Sequence, residues 1–145
     1  MIRAIRKESE NFVLSAGIVP VLQEEQVRLL LLRSYNYWDF PKGVVEKDED
    51  PFLAARRELQ EETGISKVTF PYGREWTETE LYGRGKIARY YVGSVSSAEV
   101  TLGVNPELGR PEHQEYRWVS PEEAQELLGP RVAKVLEWAL KKIKS

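Results

Sequence analysis

The chain holds 145 residues, enough for one domain with a proper core and too few for two, so residues 1–145 read as a single domain. Its 21 basic and 23 acidic side chains leave a formal net charge of −2 and a pI of about 5.6, which argues against a broad nucleic-acid footprint or a stable nucleic-acid complex. There is no cysteine, which excludes disulfides and thiolate chemistry and fits a reducing, cytoplasmic setting.

The start, MIRAIRKESENF, is basic but has no apolar run behind it, so no secretory signal is expected, and no stretch approaches membrane-spanning length. Residues 12–22 and 27–33 are rich in Val, Ile and Leu and read as two strands joined by a hairpin turn at Gln23-Glu24-Glu25-Gln26. Residues 34–42 read as a loop. Asp50-Pro51 then opens a helix, with aspartate as N-cap and proline tolerated at the first helical position. Thr63-Gly64 closes it, with Gly64 placed to adopt a left-handed conformation. Residues 65–72, 75–82 and 87–95 read as further strands, and 98–112 as a long loop. Residues 116–119 are a short strand. Ser120-Pro121-Glu122-Glu123 reads as a capping box at a helix start. A last helix covers about 131–143, with Val132, Val135, Leu136, Ala139, Leu140 and Ile143 at helical spacing. Its terminal lysines suit the helix dipole and are read as structural. The whole predicts an α/β (α+β) fold, a mixed β-sheet between helices.

The helix after Asp50 carries the chemistry. Phe52, Ala55 and Leu59 recur at spacings of three and four and make one buried stripe. Glu58, Glu61 and Glu62 share another face, where like charges one turn apart repel. A cation would remove that penalty, and hard carboxylate oxygens suit Mg²⁺ or Mn²⁺. For these three glutamates alone, a solvated acidic helix end would be the plainer reading.

The surroundings favour the metal. Gly43, Glu49, Arg57-Glu58-Leu59, Glu61-Glu62 and Gly64-Ile65 fill every fixed position of G-x5-E-x7-R-E-U-x-E-E-x-G-U, where U is aliphatic. Seven fixed residues and two aliphatic ones arise by chance on the order of once in a billion start positions. This stretch resembles the Nudix box, and the chain is identified as a member of the Nudix hydrolases. The resemblance implies an α/β/α sandwich and divalent-metal hydrolysis of diphosphate bonds. It implies that Glu58, Glu61 and Glu62 hold metal, with the Lys42 carbonyl and Glu112 as further ligands. Arg57 is implied to orient a box glutamate, Glu49 to support the loop, and Gly43 and Gly64 to shape the box. Glu61 or Glu112 would serve as base.

Outside the box, Ser15-Ala16-Gly17, Trp38-Asp39-Phe40-Pro41-Lys42-Gly43, Lys86-Ile87-Ala88-Arg89-Tyr90-Tyr91 and Glu112-His113-Gln114-Glu115-Tyr116-Arg117-Trp118 resemble the asymmetric diadenosine tetraphosphate hydrolases. RNA 5′-pyrophosphohydrolases have a related W-x-F-P-x-G. The substrate expected is therefore a nucleoside polyphosphate, cleaved by water to ATP and AMP in the diadenosine case. Lys42 and Lys86 would neutralise the polyphosphate; each also reads as a plain surface lysine. Tyr90 or Tyr91 would stack a base, the other lying in the core, since neighbours on a strand face opposite sides. His113, the only histidine, would order a loop or face phosphate. Related enzymes clamp adenine with an aromatic near the C-terminus, where this chain has Ile143; Tyr35 and Tyr37 are candidate substitutes. The alternatives are an RNA 5′-pyrophosphohydrolase, a (d)NTP pyrophosphatase, a diphosphoinositol phosphatase and, outside enzymes, a Nudix-fold nucleotide-binding module.

Overall fold

A computed structural model describes residues 11–144. In chain order the elements are β1 (Val13–Gln23), β2 (Val27–Ser34), β3 (Tyr37–Asp39), β4 (Lys42–Val44), α1 (Pro51–Thr63), β5 (Trp76–Glu78), β6 (Lys86–Val95), β7 (Val104–Asn105), β8 (Arg110–Pro111), β9 (Glu115–Val119), α2 (Pro121–Leu127) and α3 (Pro130–Lys144).

The central strand β1 organises the sheet. Along one edge it pairs in parallel with β6, from Val13↔Lys86 to Leu22↔Val95. Its other edge is divided: Val21–Gln23 pair with β2, while Ser15–Gly17 pair with β4. Both of those pairings are antiparallel, so the sheet is mixed. β3 and β9 extend it beyond β2, and β5 lies outside β6. Gly17 permits the divided edge, since a Cβ there would overlap the Pro41 carbonyl that accepts from Ile18 N at 3.1 Å.

Alternation sends neighbouring residues to opposite faces. Ile18, Leu30, Leu32 and Tyr91 pack with Ala54, Ala55 and Leu59 of α1. Val19, Leu29, Leu31, Tyr90 and Val92 pack with Ala124 of α2 and Val132, Val135, Leu136 and Ala139 of α3. The sheet therefore lies between α1 and the α2–α3 pair, the sandwich anticipated from the sequence.

Asp50 caps α1 by accepting from Leu53 N at 3.1 Å, and Gly64 ends it at φ 77° with its N–H on Gln60 O at 2.8 Å. Three local expectations need correction. Residues 65–72 form no strand; a single bridge joins Thr69 to Ser94, and Pro71 with Gly73 at φ 94° turns the chain away. The loops at 34–42 and 98–112 contain short strands, β3–β4 and β7–β8. Only half of the capping box forms: Ser120 accepts from Glu123 N, but the Glu123 carboxylate turns to Arg117 at 3.1 Å.

Candidate active site

The turn after β4 and the helix α1 are locked together by one side chain. Arg57 donates from Nε and Nη2 to the two Glu49 oxygens at 2.8 and 2.9 Å, a bidentate pair. Its Nη2 also reaches Val44 O at 3.1 Å. Its Nη1 donates to Glu58 at 2.8 Å and to Glu61 at 3.1 Å. Glu49 in turn accepts from Glu46 N at 3.0 Å. The Arg57 hydrogen bonds, then that of Glu46, hold the Glu49 carboxyl down at about 2. A Cβ on Gly43 would overlap the Glu58 carboxylate, so the absent side chain is what lets Glu58 lie across β4.

The C-terminal end of α1 is in the opposite condition. Burial pushes the Glu58 carboxyl up, with Arg57 opposing and Glu61 adding to the rise. Glu62 is raised much further, first by burial and then by the charges of Glu58 and Glu112, with Lys42 opposing. Lys42 N donates to Glu62 at 3.2 Å.

The long loop supplies the other wall. Its backbone N–H groups satisfy the last carbonyls of α1: Thr101 N to Thr63 O at 3.0 Å and Gly103 N to Glu62 O at 3.2 Å. A Cβ on Gly103 would overlap the Glu61 carbonyl. This docking brings Glu112 and His113 against the helix. Ligand atoms of Glu62, Glu112 and His113 lie within 4.8 Å of one another. Glu58, Glu61, Glu62, Asn105, Glu112 and His113 line a cleft of about 160 Å³. The donor set fits a divalent cation: several carboxylates converge, and two of them carry a desolvation and repulsion penalty that a cation would relieve. Burial lowers the His113 pKa, with Glu112 opposing, which favours the neutral imidazole with its nitrogen lone pair.

The remaining candidates fall elsewhere. The Lys42 side chain leaves the cleft and meets Asp39 at 3.6 Å. Burial works against its charge, but Asp39, Tyr82 and Glu62 outweigh that and raise its pKa, while Arg131 opposes them. Lys86 is exposed, and its backbone closes a turn with Tyr82. It is not among the residues lining the carboxylate cleft. The stacking expectation meets a physical obstacle at both tyrosines. Tyr90 is 0% exposed, and its hydroxyl donates to Asp39 at 2.8 Å. Tyr91 is 3% exposed and sits edge-on to Phe52 with centroids 5.1 Å apart. Both rings belong to the core, and neither offers a free face to a base.

A second cavity, about 310 Å³, opens between the segment 77–82 and the start of α3. Tyr82, Arg131, Lys134 and Val135 line it. The sequence reading passed over Tyr82 and Arg131. One available signal was charge placement: Arg131 stands in the first turn of a helix, where the dipole disfavours a cation.

The chain matches a family model described as the NUDIX domain over residues 11–139. An RNA pyrophosphohydrolase of Bartonella clarridgeiae is 33% identical over 102 residues, covering 59% of this chain and 58% of that protein. The asymmetrical bis(5′-nucleosyl)-tetraphosphatase of Sus scrofa is 31% identical over 116 residues, covering 76% of each. Among solved structures, a C. elegans Ap4A hydrolase in a binary complex superposes with a TM-score of 0.68 at 27% identity, over 91% of this chain and 95% of that one.

Proposed function

The chain belongs to the Nudix hydrolases and is a pyrophosphohydrolase acting on nucleoside polyphosphates, and from that premise we propose that its substrate is a dinucleoside tetraphosphate, cleaved asymmetrically. Enzymes of this family are generally dependent on a divalent metal, and Glu58, Glu61, Glu62 and Glu112 are the side chains proposed to hold it, with the Lys42 carbonyl and His113 beside them. The ion proposed is Mg²⁺ or Mn²⁺. When bound, such an ion supplies charge neutralisation at the bridging phosphates and activation of a water.

The observation carrying the reading is the position of Lys42. Its backbone N–H donates to Glu62 at the carboxylate cleft at 3.2 Å, while its ammonium meets Asp39 at 3.6 Å, and the charges of Glu62, Tyr82 and Arg131 all bear on it. A polyphosphate chain passing Lys42 would set its reacting phosphorus at the carboxylates and a terminal nucleoside in the second cavity. Arg57 keeps Glu58 and Glu61 in place. The proton of the attacking water passes to one of the two exposed carboxylates of the cleft, Glu61 or Glu112. No covalent intermediate is required. Asp39, anchored by Phe40 N at 2.7 Å and by Tyr90, restrains Lys42.

The relative from Bartonella supports a second reading, removal of pyrophosphate from RNA 5′ ends. Incubation of the protein and Mg²⁺ with diadenosine tetraphosphate, dNTPs and 5′-triphosphate RNA, resolved by ion-exchange chromatography, tests the two. ATP plus AMP formed much faster than any other product supports the first. Pyrophosphate from RNA, with little action on the dinucleotide, replaces it with the second.

A further inference from the structure

The long loop sets a nitrogen donor among the carboxylates of the cleft. Ligand atoms of Glu62, Glu112 and His113 all lie within 4.8 Å of one another. Donors bound to one ion at about 2.1 Å lie at most about 4.2 Å apart, so these three stand close to the spacing that a single ion requires. Glu112 is steadied within the loop, its Oε1 accepting from Asn105 Nδ2 at 3.3 Å.

The backbone on either side of His113 is pinned. Glu112 O accepts from Gln114 Nε2 at 3.2 Å and from Ser34 Oγ at 3.5 Å. Gln114 N donates to Arg33 O at 2.8 Å, and Gln114 Oε1 accepts from Tyr35 N at 2.6 Å. These bonds hold residues 112 and 114 against the end of β2 and the turn after it. The half-buried ring between them makes no hydrogen bond among the described residues. An imidazole without a protein partner, on a fixed backbone, is available to a ligand.

The neighbours decide the sign of that ligand. Two carboxylates within 4.8 Å of the ring disfavour an anionic phosphate oxygen at its nitrogen and favour a cation bonded to all three side chains. The choice of cation follows from the donor atoms. Mg²⁺ takes oxygen ligands and gives up its water reluctantly. First-row transition ions accept imidazole, and among them Mn²⁺ also suits carboxylates.

We infer that His113 is a metal ligand, and that its nitrogen, joined to Glu62 and Glu112, makes this cleft select Mn²⁺ over Mg²⁺. The inference rests on the divalent-metal site of the proposed function and narrows its ion.

His113 is the only histidine of the chain, so an imidazole nitrogen bound to Mn²⁺ has a single source. Electron spin echo envelope modulation of the full, untagged chain loaded with Mn²⁺ alone should show coupling to an imidazole nitrogen, and His113→Gln should abolish it. Calorimetric titration with each metal alone should give Mn²⁺ about tenfold or more tighter than Mg²⁺. His113→Gln should weaken Mn²⁺ by about tenfold and Mg²⁺ by less than about twofold. Glu62→Gln should weaken the nitrogen-coupled ion as well. Absence of nitrogen coupling, equal affinity for the two metals, or an equal loss of both in His113→Gln overturns the inference. So does a coupled ion that Glu62→Gln leaves bound as tightly as before, which would mean that His113 holds an ion apart from the carboxylates. The spectrum and the first titrations use the unsubstituted chain and do not depend on a variant folding. Nitrogen-coupled Mn²⁺ in a chain that hydrolyses no nucleoside polyphosphate removes the proposed function and leaves His113 as a ligand. Hydrolysis by a Mn²⁺-loaded chain without nitrogen coupling does the reverse.

Discussion

Glu49 and Glu62 flank the two ends of α1 in opposite electrostatic states. Glu49 receives both arms of Arg57 and a backbone N–H, and its carboxyl falls to about 2. Glu62 is buried beside Glu58 and Glu112, and its carboxyl rises well above the usual range. The same residue type is a completed ion pair just before the helix and a carboxylate with uncompensated burial and like-charge repulsion at its far end. The difference separates a glutamate that braces the turn before α1 from the one we propose for metal binding. Each can be probed by removing its charge while keeping its shape.

The largest effect belongs to Glu62. Glu62→Gln should lower kcat by about 10³-fold, roughly 4 kcal/mol of transition-state stabilisation. The metal-free variant should melt no lower than the metal-free parent at pH 7, because burial and the neighbouring carboxylates raise this carboxyl on folding, which costs stability above its unfolded range. Near-normal turnover at saturating Mg²⁺ would remove Glu62 from the proposed ligands. A collapse in melting temperature would put it among the structural glutamates with Glu49.

Gly43→Ala separates placement from stability. Its new Cβ collides with the Glu58 carboxylate and not with backbone, so a flexible side-chain end must move. The melting temperature should change little, while kcat falls by about 10- to 100-fold as Glu58 is displaced from Arg57. Equal losses in both would show that Glu58 supports the fold. The same change at Gly103 meets the Glu61 backbone carbonyl and should cost stability.

The helix end of this comparison was legible in the sequence because its signals are local. Asp50, Pro51 and Gly64 cap a single helix, and Glu58, Glu61 and Glu62 share a face through helical periodicity alone. The sandwich was legible because 12–22, 27–33 and 87–95 are short runs of aliphatic, β-branched and aromatic residues, as strands buried on both faces require. What stayed hidden depends on contacts between distant segments. Tyr90 and Tyr91 looked alike as candidates for stacking; only the packing of β6 under both helical layers shows that each ring is spent in the core. Lys42 was read toward the box, yet Asp39, held by Tyr90 from across the sheet, draws it aside. The Tyr82–Arg131 cavity joins residues from two elements with no shared pattern. Residues 65–72 read as a strand from apolar content, but Ile65 and Val68 are buried as loop residues under α1.

The smallest effect is expected from the other side of the comparison, and it is recognisable by its pH dependence. In Glu49→Gln, Arg57 loses its bidentate anionic partner but keeps Val44 O, Glu58 and Glu61, so kcat should fall by about tenfold. The sign of the stability change follows from the depressed carboxyl. Folding lowers this group from its ordinary 4.5 to about 2. Its contribution is therefore complete above about pH 4.5 and is lost as the pH falls toward 2. Thermal melts of parent and variant, recorded without metal from pH 7 down, should show the parent higher at neutral pH and the gap closing through that window. A gap that stayed constant to pH 2.5 would mean that the glutamate acts through packing rather than through its ion pair with Arg57. Its assignment as the electrostatic counterpart of Glu62 would then fail.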